Sequence, residues 1–86
     1  MVQISAKLIK NHKTIKSLTY KNVQEYQSSD FYFHLSEISR RLDIETPIII
    51  AHHRETYEQF NFVKFKKDDF IDTISFDEFL LENIDT

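Results

Sequence analysis

Asp30-Phe31-Tyr32-Phe33-His34-Leu35-Ser36-Glu37-Ile38-Ser39-Arg40-Arg41-Leu42-Asp43 is the stretch on which the reading of this chain turns. Phe31, Leu35, Ile38 and Leu42 recur at i, i+4, i+7 and i+11. With each residue advancing about 100°, those four positions fall within about 60° of one another. The spacing predicts a helix over 30–43 with one stripe facing a core. Ser28, Ser29 or Asp30 is placed to cap its start, and Arg40 and Arg41 in the last turn suit the negative end of the helix dipole. Pro47 then bars continuation and biases Thr46 to extended backbone. Measured from Phe31, Tyr32 lies about 100° round the helix and Phe33 about 200°, so Phe33 projects outward beside Ser36, Glu37 and Arg40. His34 falls about 60° off the stripe, at the core boundary, where a packed amphipathic side chain is expected.

Working back from the helix, Val2, Ile4, Ala6 and Leu8 alternate with Gln3, Ser5 and Lys7, the period of a half-buried strand. Lys10-Asn11-His12-Lys13 follows as a polar break, with Asn the best substitute for Gly where a hairpin needs a left-handed residue. A second strand is expected at about 14–21, with a bulge near Lys16-Ser17 because Ile15, Leu18 and Tyr20 slip phase once. Residues 22–29 read as a loop.

Working forward, Pro47-Ile48-Ile49-Ile50-Ala51 is a β-branched apolar run and predicts a strand buried on both faces near the middle of a sheet. Residues 53–60 predict a helical turn and 62–65 an extended piece. Asp68 or Asp69 can cap one short turn carrying Phe70 and Ile71. In the last segment Ser75-Phe76-Asp77-Glu78 matches a capping box, and Phe76, Phe79, Leu80 and Ile84 fit a helical face. The same residues alternate as a strand, and a strand over 76–84 is the reading adopted, because the sheet needs another member to cover its edge. The expectation is one α+β domain spanning 1–86: a mixed sheet of about four strands with one main helix across one face, in the order β-β-α-β-short α-β.

The 86 residues suit a single core. The composition, 41% hydrophobic and 29% charged, is that of an ordinary globular protein. The chain has no glycine, where average usage of about 7% would give roughly six. Phosphate-cradling P-loops, the dinucleotide G-x-G-x-x-G, the G-x-S-x-G elbow, the EF-hand turn and the GXXG clamp all need it. Zero cysteines remove disulfides, thiolate chemistry and cysteine zinc sites. Without a basic leader or a long apolar run, a cytoplasmic protein without membrane contact is expected. Charge is uneven: residues 1–43 carry seven Lys/Arg against four Asp/Glu, and residues 44–86 four against ten.

Aromatic rings and arginine anchor protein interfaces. Tyr32, Phe33 and Arg40 are therefore the expected contact residues of a non-catalytic protein-interaction module, with a second copy of the chain, forming a homodimer, as one partner. The alternative is a nucleic-acid binder. Lys10, Lys13 and Lys16 make the first hairpin the most basic part of the chain, and a basic β-ribbon can enter a groove. Against it stand the acidic pI of about 5.7 and the lack of an RNP-type motif. A third reading, a metal protein or enzyme, would use His52, His53 and Glu55 with Asp68, Asp69 and Asp72, although their spacing matches no ligand motif. No catalytic residue, cofactor or small-molecule ligand is expected.

Leu42-Asp43-Ile44-Glu45-Thr46-Pro47, His53, Phe60-Asn61, Phe65, Asp68-Asp69-Phe70, Phe76-Asp77 and Leu81-Glu82 together resemble a group of short Gram-positive bacterial proteins with no assigned activity. The resemblance spans most of the chain, including Ala6-Lys7-Leu8-Ile9-Lys10, and implies a stand-alone bacterial protein while carrying no catalytic residue across. The element order also resembles the β-grasp arrangement of ubiquitin-like proteins, an analogy that gives no function.

Overall fold

The alternation that begins at Val2 becomes β1 (Val2–Lys10), whose Val2, Ile4, Ala6 and Leu8 are all buried. A computed structural model describes residues 1–85. β1 turns into β2 (Lys13–Asn22) through Asn11 and His12, at φ 52° and 64°. Both central residues are left-handed, as a two-residue turn matching the strand twist requires. Pairing shifts between Leu8 and Ile9, which face Lys16 and Thr14, so Ile15 is the extra residue of a bulge lying one position before the expected Lys16-Ser17.

The chain then runs through a 3-10 turn, Ser28–Asp30, into α1 (Phe31–Arg41). Phe31, Leu35 and Ile38 of the expected stripe are buried, as is Leu42 just beyond the helix. No side chain caps the start of α1, contrary to the expectation for Ser28, Ser29 or Asp30, because the 3-10 turn leads directly into the helix and the Ser28 hydroxyl bonds elsewhere. At the other end Asp43 takes φ 58°, with its N–H on the Arg40 carbonyl and the Ile44 N–H on the Ser39 carbonyl. This is a Schellman motif with Asp where glycine is usual.

The strand expected at 47–51 is absent. Residues 44–50 form an irregular connector, and Ile48 and Ile50 are 46% and 47% exposed. Ile48 gives its N–H to the Asp69 carbonyl, and Pro47 has none to give, so the run lacks a ladder partner and leads straight into α2 (Ala51–Phe60). β3 (Phe62–Lys66), a 3-10 turn at Lys67–Asp69 and β4 (Glu78–Asn83) complete the chain. Strand wins over helix in the last segment. Ser75 and Glu78 do not form a capping box, because Glu78 opens β4; just before it the Asp77 N–H meets the Ile9 carbonyl and its carboxylate takes the Asn11 N–H at 2.8 Å.

The order is thus β-β-α-α-β-β, and the four strands lie β2-β1-β4-β3. Every pairing is antiparallel, which corrects the expected mixed sheet: the strand at 47–51 was the one a crossover would have made parallel. Register aligns one apolar face, with Val63, Leu81, Ala6 and Leu18 in one row and Phe65, Phe79 and Leu8 in the next. The buried residues of both helices join that face in one core, which Phe70 and Phe76 close edge to face at 5.5 Å. The radius of gyration, 12.0 Å, is that of a compact single domain of this length.

Candidate functional site

Burying Phe31, Leu35 and Ile38 leaves the opposite side of α1 in water. Tyr32 is 60% and Phe33 53% exposed. Arg40 donates from Nε at 3.0 Å and Nη2 at 2.7 Å to Glu37 Oε2, two bonds from one guanidinium to one oxygen. Phe33, Glu37 and Arg40 follow at i, i+4 and i+7 and so share a stripe, with Tyr32 on the neighbouring one. His34 points inward and is buried, with Nδ1 2.9 Å from the Tyr20 hydroxyl and Nε2 sealed without a partner. Burial lowers its pKa, against a smaller upward pull from Asp30.

The hairpin lysines divide between two tasks. Lys10 and Lys13 face each other across the turn, whereas Lys16 Nζ donates to the Leu42 carbonyl at 3.2 Å, just past the end of α1. A cation there offsets the helix dipole. His52 and His53 stack at 4.3 Å, and His53 also lies 4.7 Å from Phe65, inside the apolar face. His53 Nε2 is 3.4 Å from Asp69, whose carboxylate also takes the Lys66 N–H at 2.8 Å. Among the described residues no three His, Asp or Glu side chains converge closely enough to hold a metal ion.

A further site assembles at the other end of α2, beside the start of β1. Asn61, in the left-handed conformation at φ 64°, ends α2 and turns the chain into β3. There Asn83 Nδ2 donates to Asn61 Oδ1 at 3.1 Å, and the Asn83 N–H meets the Asn61 carbonyl at 2.7 Å. The polar loop before α1 folds back so that the Tyr26 hydroxyl donates to Glu58 Oε2 at 2.6 Å, and the Ser28 hydroxyl donates to the same oxygen. Those two bonds hold the Glu58 carboxyl below the usual range. Burial, reinforced by Glu58, pushes the Tyr26 phenol up. Tyr57 is pushed up to about 12, by burial first and then by Asp85 and Glu58. Both phenols therefore stay protonated at neutral pH. The rings of Tyr26 and Tyr57 lie 5.8 Å apart at 50°. They border a cavity of about 290 Å³.

Sequence reading missed this cleft because its residues come from segments far apart in the chain, 1–2, 26–28, 57–61 and 83–85. The one local signal is Tyr26, the single aromatic in the loop over 22–29. No protein-family model, curated protein or solved structure matches the chain.

Proposed function

We propose that this protein is an interaction module that pairs with a second copy of itself through the outer face of α1. The observation that carries the reading is the exposure of Phe33 and Tyr32 side by side on a helix whose opposite face is fully committed to the core. The occupant follows from the charge on that face, which carries one acid and one base, Glu37 and Arg40. Two antiparallel copies of α1 crossing near Ser36 set Phe33 of each against Arg40 of the other. The guanidinium then covers the ring face, and one patch serves both sides of a two-fold contact. Tyr32 widens the contact at its rim.

Sedimentation equilibrium tests it. Wild-type protein should fit a monomer–dimer equilibrium, and Phe33→Asp should be monomeric and melt as wild type does at concentrations where wild type is itself monomeric. A wild-type chain that stays monomeric up to its solubility limit, or a Phe33→Asp chain that dimerises as tightly, overturns the reading.

A further inference from the structure

The cleft at the end of α2 shares no residue with the α1 face. We propose that it binds a primary alkylammonium group, carried by a small amine or by a lysine side chain.

Four observations converge on that chemistry. The described lining includes two carboxylates, Glu58 and Asp85, and no Lys, Arg or His side chain. Among the described residues neither carboxylate makes an ion pair, although the Arg54 charge, from outside the lining, also acts on Glu58. Tyr26 and Tyr57 stand at an angle and form a corner of two π faces, which attracts a cation and accommodates the methylenes behind it. The Tyr57 side chain is the pointed clue. The residue is only 3% exposed and borders the cavity, yet among the described residues its hydroxyl has no hydrogen-bond partner. That oxygen is not one of the sealed, partnerless atoms of the core, so it stands open to the cavity and can accept from an ammonium N–H.

Size and geometry narrow the guest further. A cavity of about 290 Å³ is at the small end for ligand sites and takes one alkyl chain, not a nucleotide. Tyr26 and Ser28 both occupy Oε2 of Glu58, which leaves Oε1 to receive the guest while the hydroxyls fix the carboxylate's orientation. An anion would meet two negative charges here, and a neutral alcohol would leave both of them unpaired.

The test is a heteronuclear NMR titration of the full chain with cadaverine and, separately, with N-acetyl-lysine methylamide, using pentan-1-ol and glutarate as controls. Saturable shifts confined to the amides of 57–61 and 83–85 are expected with an amine and not with either control. Response to cadaverine alone identifies free amines as the guest; response to the lysine amide identifies a polypeptide side chain. Glu58→Gln and Asp85→Asn should each weaken binding about tenfold, the size of one lost charge-assisted contact. Tyr57→Phe keeps the buried ring and removes only the hydroxyl, and should weaken it about threefold. Melting curves establish that each variant is folded. The proposal fails if neither amine saturates, if pentan-1-ol shifts the same amides equally, or if Asp85→Asn binds as wild type does.

Discussion

His34 occupies a place where a second proton has nowhere to go. Its Nδ1 is engaged with Tyr20 and its Nε2 is sealed from water, so the folded state keeps the ring neutral and its pKa falls below the ordinary 6.5. Unfolding returns the ring to water, where it is protonated below about pH 6.5. The unfolded chain therefore binds the extra proton, and stability that His34 contributes above that pH is lost as the pH falls toward the folded value. Denaturant unfolding between about pH 7 and pH 5.5 should show this loss, and His34→Gln should flatten it. An equally steep slope in His34→Gln would assign the effect to other groups. The helical angle of His34 placed it at the core boundary, but angle alone does not register the Tyr20 hydroxyl brought over from β2. Phe33, by contrast, was legible from α1 alone, since a residue about 200° from a buried stripe has no route inward.

At the scale of elements, every tight reversal in this protein is made without glycine. Asn11, His12, Asp43 and Asn61 all have positive φ. Asn and Asp tolerate that region through their short polar side chains, but His12 bears the full steric cost, about 1 kcal/mol or more. His12→Gly creates an Asn-Gly turn, the preferred pair for this hairpin, and should stabilise the protein by about 1 kcal/mol. Thermal melting would then shift upward by roughly 4–8 °C. No shift would mean that the backbone at 12 is unstrained. The elements that could be read in advance owe it to local pattern: β1 to its alternation, α1 to its stripe and the hairpin to Asn11. The connector at 44–50 could not be read in this way. Pro47-Ile48-Ile49-Ile50 has the composition of a strand, yet a strand exists only where a neighbour offers a ladder, and β4 took the place beside β1.

For the molecule as a whole, the first strand and the last form the middle of the sheet, with β2 and β3 outside them. Phe79 is the centre of that arrangement, fully buried on β4 between Leu8 and Phe65. Truncating it to Ala should cost about 3–5 kcal/mol. A domain of this size has roughly 4–13 kcal/mol in total. Urea unfolding of Phe79→Ala should therefore show a midpoint lowered by at least about a quarter, and an unshifted midpoint would contradict the packing described. The same long-range assembly explains why the alkylammonium cleft was invisible in the sequence: it exists only once residues 83–85 have come to lie beside α2 and the start of β1. Placing β4 at the centre also sets a schedule for synthesis. While the chain emerges from the ribosome, β1 can meet β2 at once, but the edge destined for β4 stays open until residues 78–83 have been made. The unpaired side of β1 is therefore the last part of the sheet to be covered, and the arrival of β4 is the moment the fold locks.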